Sequence, residues 1–429
     1  MSKEENRKNF SKYVSQNILG MIGFSCYVLA DSYFISIAKG ADGLTALNLV
    51  MPLYSIIFSI GEMIGVGSAI RYAISKIKKD ADADDYFWNA LIWCILSSML
   101  FVFAGIFFSA DIMRVLGADE HIVAVGNNYT KIFMCFAPMF MCNYVTNAFV
   151  RNDGAPGIAM SATLFSSLFN IVFDYILMFP MNLGMEGAAL ATALSPIIGM
   201  GICSIHFFSK KSSVRLVVCK PSVRKLVAGC QLGVSAFVGE MSSAVITLAF
   251  NFVILKLAGN VGVAAYGVVA NIAIVTTAVF NGVAQGSQPL ISSCFGRGDK
   301  DGCTQLKRMG YTTAFVLAAV MYSILFIFAG QFVAVFNSEG SEMLRLYATE
   351  GVKLYFIGIF FAGINIVGGG AFSATEDAFK AAVVSVARGF VLILGAVFVM
   401  SAFFGMTGVW LAYAEGITTF IMLVMAMRV

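Results

Sequence analysis

A chain of 429 residues that is 59% hydrophobic and only 12% charged, with a mean hydropathy of +0.84, is too apolar for a water-soluble domain, in which roughly a quarter of residues carry charge. The formal net charge of +4 is small for this length and points to no nucleic-acid partner. Apolar runs of about 20 residues or more exclude a membrane β-barrel, whose strands alternate over about ten, and leave an all-α integral membrane bundle.

In chain order, charged and Gly/Pro-rich breaks predict twelve transmembrane helices, at 14–36, 46–72, 87–109, 122–148, 157–179, 185–208, 226–255, 262–292, 310–335, 347–371, 379–402 and 406–427. The polar N-terminus runs straight into the first full-length span, so no cleavable leader is expected. Most of the 28 Lys and Arg fall on one side, including Lys3, Arg7, Lys8, Lys12, Lys76, Lys78, Lys79 and the cluster from Lys210 to Lys225. The opposite loops hold four: Lys39, Arg114, Lys256 and Arg345. By the positive-inside rule both termini are expected in the cytoplasm of a multi-pass cell (plasma) membrane protein. Nine scattered cysteines without a CxxC pair read as buried thiols.

The chain repeats itself. "GADGLTALNLV" from Gly40 overlays "GNVGVAAYGVV" from Gly259 at an offset of 219, and the match continues through Gly67 on Gly286, Ser68 on Ser287 and Asp80 on Asp299. "GMEGAALA" at Gly184 overlays "GMTGVWLA" at Gly405 at an offset of 221. A six-span unit repeated once enters the membrane the same way each time, so the two halves are expected to form pseudo-symmetric six-helix lobes around a central cavity. The expected division is an amino-terminal lobe at 1–208, a cytoplasmic linker at 209–225 and a carboxyl-terminal lobe at 226–429.

With the repeat in view, the chain resembles the multidrug and toxic compound extrusion (MATE) family. The stretches that carry the resemblance are "YVLADSYFIS", "RNDGAPGIAM" at Arg151, "NIVFDYILMFPMNLGMEGAALAT" from Asn170 and "GSQPLISSCFGRGDKDG" from Gly286. The resemblance implies a cation site in the amino-terminal lobe at Asp31, Asn170, Asp174 and Thr192, with Tyr27 beside it, and an acid in the seventh span at Glu240. Many members carry a proline about fifteen residues before the first-helix Asp; Gln16 occupies that neighbourhood here.

Ionisable groups within spans are costly and usually face the bundle interior. The acids so placed are Asp31, Glu62, Asp174, Glu240 and Glu415; the bases are Lys131, Lys353 and Arg388. Tyr27 and Asp31 share a helix face, as do Asn170 and Asp174, so two carboxylates can converge with a phenol and an amide. Such a pair would titrate as one coupled unit, and its oxygens, with Thr192, suit Na⁺ as well as H⁺. Structural alternatives are a hydrogen bond to a neighbouring helix for Asp31, and for Glu62 a hydrogen bond to backbone in its Gly-rich helix instead of a place lining the cavity. Glu240 reads either as a counter-charge for substrate or ion or as a partner of Arg388; Arg388 and Glu415 read as an ion pair.

The expected function is a secondary active antiporter, with no enzymatic activity and no cofactor, exporting amphipathic or cationic organic compounds in exchange for H⁺ or Na⁺. It is expected to work as a monomer among membrane lipids. A lipid-linked saccharide flippase is the alternative, although such a protein would carry more bases within its spans. An intramembrane enzyme is disfavoured by the lack of an HExxH, GxSxG or Cys/His constellation, and a receptor would not need the six-span repeat.

Overall fold

The computed structural model describes residues 3–336 and 341–413, and positions 416, 419, 422, 424 and 425 of the last segment. Glu415 lies outside the described residues. The described residues are overwhelmingly α-helical, with no strand among them.

The first half contributes Lys3–Gly40, Asp42–Lys78, Asp85–Val115, a bent pair, Pro156–Met178 and Gly184–Phe207. The bent pair, Glu120–Cys135 and Ala137–Asn152, meets at 46° and forms the fourth span. Pro138, in the first turn after the bend, has no N–H to offer the preceding helix. In the second half one helical run of 74 residues, Val223–Gly296, would be about 111 Å long at 1.5 Å per residue, far beyond a 30 Å hydrocarbon core. It is two spans joined at Gly259. Lys300–Ile327 follows, then Glu342–Ala374 and Ala378–Leu411. A 3₁₀ turn at Phe356–Gly358 interrupts the tenth span, and a π-helical turn at Ala387–Val391 interrupts the eleventh. Gly405 then reverses the chain into the twelfth span. Several helices run past the predicted apolar limits, because a helix continues into the aqueous zone until a cap stops it.

Backbone geometry repeats along with sequence. Gly40 (φ 58°, ψ −141°) and Gly259 (φ 62°, ψ −156°) adopt the same glycine-only conformation 219 residues apart. Other positive-φ residues also pair: Lys79 with Gly298, Gly184 with Gly405, and Gly154 with Glu376. A side chain at Gly40 or Gly259 would meet open space, so the restriction there comes from the torsion angles alone. Four of the tight reversals between helices therefore recur in the other half among the described residues.

Two large apolar cores correspond to the two lobes. One is built from the first to sixth spans around Tyr129, Phe133, Phe140 and Phe149. The other is built from the seventh to twelfth around Phe250, Tyr266, Phe356 and Trp410. Each borrows a little from the opposite half: Leu232 packs into the first core, and Phe10 and Val14 pack into the second.

These exchanges mark where the lobes meet. A Cβ on Gly67 would lie 2.0 Å from the Gly229 carbonyl oxygen, and one on Gly233 would lie 2.0 Å from that of Met63. On the symmetric side, a Cβ on Gly282 would lie 2.6 Å from Ile18 Cα, and one on Gly286 2.7 Å from Val14 Cα. Absence of side chains lets the backbones touch, as at small-residue helix crossings in lipid. Polar contacts join the lobes at the same end. Arg71 pairs with Glu376 and donates from Nε to the Ala228 carbonyl at 3.1 Å, while Lys225 Nζ lies 2.5 Å from Asp85 Oδ2 and 3.0 Å from Asp82 Oδ2. The basic ends of the helices are thus sealed against each other.

The segment from Ser209 to Ser222 is without regular structure and connects the halves. It is held by buried Asp153, which accepts from His206 Nε2 at 2.8 Å, from the Ser212 hydroxyl at 3.0 Å and from the Ser213 amide at 2.9 Å.

Candidate functional site

Glycines in the first span set the site's geometry. A Cβ on Gly20 would touch Met160 Cα at 3.7 Å, and one on Gly23 would fall 2.5 Å from Leu164 Cδ2, so the fifth span lies close against the first. Gly187 lets the sixth span approach the Leu177 backbone of the fifth to 2.8 Å from its own Cβ position. Asp31, Asn170, Asp174 and Thr192 are accordingly all buried, with relative exposures of 6%, 0%, 0% and 1%.

With the Asn170 amide oriented so that its NH₂ donates to Asp174 Oδ2 at 3.1 Å, its carbonyl accepts from the Thr192 hydroxyl at 3.2 Å. Oδ1 of Asp31 and Oδ1 of Asp174 are buried without a hydrogen-bond partner. Asp31 acts electrostatically on Asp174, and both act on Tyr27. Two buried acids thus lie within electrostatic reach of each other with one oxygen each uncommitted, where a charged side chain at mid-membrane costs about 2.5–3.5 kcal/mol or more. Pro196 supports the sixth span's contribution: it has no N–H for the Thr192 carbonyl, and the Ser195 hydroxyl donates to that carbonyl instead, at 3.0 Å.

The offsets of the repeat single this cluster out. Asp31 corresponds to Phe250 at 219, and Asn170, Asp174 and Thr192 correspond to Val391, Gly395 and Tyr413 at 221. In the second lobe that neighbourhood holds an aromatic stack, with Phe250 5.2 Å from Tyr266 and Tyr355 4.1 Å from Tyr413 between ring centroids. One lobe keeps acids where the other keeps rings.

Between the lobes lies a cavity of about 110 Å³ lined by Tyr27, Glu62, Tyr144, Arg151, Glu240 and Gln285, among others. Glu240 acts electrostatically on Glu62, Tyr27 and Tyr144. Arg388 sits on the π-helical turn of the eleventh span, whose Gly389 packs on Ser242, two residues after Glu240 in the seventh span. Glu62 accepts from Gln285 Nε2 at 3.2 Å, so its partner is a side chain of the opposite lobe and not the backbone. Asp31 and Asp174 thus lie within electrostatic reach of each other, and Glu62 and Glu240 both line the cavity between the lobes.

Three features were not anticipated from sequence. Arg151, read as part of the "RNDG" loop, is in the last helical turn of the fourth span, 4% exposed and lining the cavity. Gln285 bridges it to Glu62. The Tyr54 and Tyr129 hydroxyls hydrogen-bond each other within electrostatic reach of Asp31 and Asp174. The signal for Arg151 was its position one turn beyond an apolar run with Asn147 four residues earlier; for Gln285 it was a polar residue amid "NGVAQGSQP" in a buried span.

Two pseudo-symmetric helical lobes around a polar cavity, with acids buried within the spans, have the architecture of a membrane transporter. The family model MatE matches residues 17–176 and 236–400, one match in each half, and the chain belongs to that family of efflux transporters, which are not enzymes. It is similar to the multidrug export protein MepA of Staphylococcus aureus (strain MRSA252), 27% identical over 404 residues, covering 91% of this chain and 86% of that protein. The MepA protein of Staphylococcus saprophyticus is 26% identical over 399 residues with the same coverage. A solved outward-facing conformation of a multidrug resistance MATE family transporter of the MOP superfamily has the same fold, with a TM-score of 0.92 at 21% identity, covering 99% of this chain and 96% of that one.

Proposed function

We propose that the chain is an antiporter of the cell membrane that exports amphipathic, often cationic organic solutes in exchange for H⁺ or Na⁺, with both termini in the cytoplasm. One observation carries the reading: Asp31 and Asp174 are buried within electrostatic reach of each other with an oxygen each uncommitted, while the equivalent positions of the other lobe are Phe250 and Gly395. Acids are retained at such cost when they bind something, and a cation is what two facing carboxylates bind. The donor set fits either ion. A proton shared between the acids would satisfy both free oxygens, and Na⁺ would take carboxylate oxygens of Asp31 and Asp174 with the Asn170 carbonyl and the Thr192 hydroxyl. The similarity to the MepA multidrug export proteins supports small organic solutes as cargo.

The cytoplasmic ends of the lobes, 1–208 and 226–429, are in contact, so the cation site is reached from the far side. Cation binding there favours this arrangement, and substrate binding favours the one open to the cytoplasm; only such differential affinity drives export. Each transition rocks one lobe against the other about the linker at 209–225. A cavity of about 110 Å³ is below the roughly 300–1,000 Å³ that encloses a drug-sized solute, in keeping with a solute-free state.

The test is efflux of a fluorescent cationic dye from cells expressing wild type or Asp31→Asn, with the pH and Na⁺ gradients collapsed in turn. Loss of efflux in the variant and on collapse of one gradient is expected. Gradient-driven efflux that survives Asp31→Asn would move the coupling site to Glu240, and no dye movement by well-inserted wild type would overturn the export reading.

A further inference from the structure

Arg151 is a base in a cavity otherwise charged by acids. Its Nη1 donates to three neutral carbonyls, Gln285 Oε1 at 2.7 Å, Asn17 Oδ1 at 3.4 Å and Asn147 Oδ1 at 3.5 Å, while its Nε is buried with no partner. Among the described residues no carboxylate lies within ion-pair distance of it. Glu62, the acid whose charge it feels, is held off by the amide of Gln285, whose carbonyl faces Arg151 and whose NH₂ faces Glu62. A guanidinium is a planar fork suited to two parallel bonds to a carboxylate, and here part of that fork is unused. Leaving a buried arginine with neutral partners only is costly unless something anionic completes it.

We propose that Arg151 receives a carboxylate of the transported solute, so that preferred substrates are amphipathic zwitterions with the anionic end on Arg151 and an amine directed to Glu62 and Glu240. This rests on the export reading above and names the chemistry of its cargo. Phe24, Phe58, Phe140 and Tyr144 line the same cavity and offer apolar faces to the body of such a molecule. A carboxylate on Nη1 displaces the Gln285 carbonyl, and Gln285 belongs to the eighth span, in the lobe opposite Arg151 and Glu62. Loading the solute therefore breaks a bond that holds the lobes together, which links occupancy to their separation.

The probe pair is Nε-dansyl-lysine, which carries a carboxylate and an ammonium, and its methyl ester, which keeps the ammonium and the dansyl ring. Binding is read by dansyl fluorescence on the full chain in nanodiscs, and transport of the ester in vesicles. Wild type should bind the acid at least tenfold more tightly than the ester. Arg151→Gln should weaken the acid tenfold or more and leave the ester within twofold. Asn147→Asp keeps the arginine and gives it a resident counter-ion, so it should reproduce that selective loss even if Arg151→Gln does not fold. Equal affinity of wild type for acid and ester, equal loss of both in the variants, or no loss of either overturns the proposal. If wild type transports the ester under a cation gradient, the export reading survives that failure; if neither compound binds, both fall.

Discussion

Replacement of Gly233 by alanine should force the seal between the lobes open. The added Cβ would sit 2.0 Å from the Met63 carbonyl oxygen, whereas ordinary contact begins near 3.4 Å, so the seventh and second spans must part by about 1.4 Å. Neither obstacle is a flexible side-chain end: one side is helix backbone and the other a single rigid methyl group. Overpacking of this kind costs typically 1–3 kcal/mol, and the cost falls only on the state in which the lobes touch. Taking about 2 kcal/mol, the ratio of sealed to open protein falls roughly 30-fold. Cys230, packed against the first lobe at this seam, reports the change. In a background where the other eight cysteines are serine, its alkylation by maleimide in nanodiscs should accelerate by a similar factor. Gly239→Ala on the same helix is the control, since its Cβ meets nothing within 4 Å. Equal alkylation rates in Gly233→Ala, Gly239→Ala and the parent would refute the assignment of this crossing as the seal.

Removing the Arg71 pair with Glu376 by Glu376→Gln should accelerate the same alkylation only a few-fold, because both side chains are about one-fifth exposed and part-solvated ion pairs contribute modestly. Lys225, hydrogen-bonded to Asp82 in the loop after the second span, holds that carboxyl below its usual range. Its folded value being depressed, the contribution of this contact is complete above about pH 4 and is lost as pH falls through the folded value. The alkylation rate of wild type should therefore not respond to this group between pH 8 and 5, and Asp82→Asn should change it less than threefold at pH 7. Asp174→Asn should abolish ion-driven efflux as Asp31→Asn does, with insertion unchanged; full efflux by either single variant would argue against a shared site. Thr192→Ala discriminates between the ions, since loss of a neutral ligand should raise the Na⁺ concentration needed for half-maximal efflux several-fold and leave a proton-driven process nearly unaltered.

Much of the fold was legible because lipid makes the code severe: length of apolar run, glycine and positive charge almost suffice. The overlay of Gly40 on Gly259 was visible as letters, and the matching torsion angles show why those letters persist. Breaks inside spans were less legible. Phe136 and the Phe356–Gly358 turn interrupt runs that remain apolar throughout, and hydropathy registers no change when a helix bends within oil. Within the site, Asp31 and Asp174 stood out as acids in apolar surroundings, whereas Gln285 and Asn147 did not, since amides are common near helix ends and inside bundles alike. Arg151 was hidden by its address: one turn past an apolar run, a base looks like a topology signal, and only the lobes' convergence turns that depth into the floor of a cavity. The proposed partnership of Arg388 with Glu415 falls partly outside the described residues.

The seam at Gly67, Gly229, Gly233 and Met63 is backbone against backbone, and that governs how the barrier leaks. A plug of side chains breathes each time a rotamer flips, on the picosecond-to-nanosecond scale, and lets small ions slip past between cycles. Main chain held in helices has no such motion; it parts only when whole spans move, in microseconds to milliseconds. For the ion-coupled exchange proposed above, a barrier that can fail only by completing its stroke leaves few ions to pass unpaired with cargo.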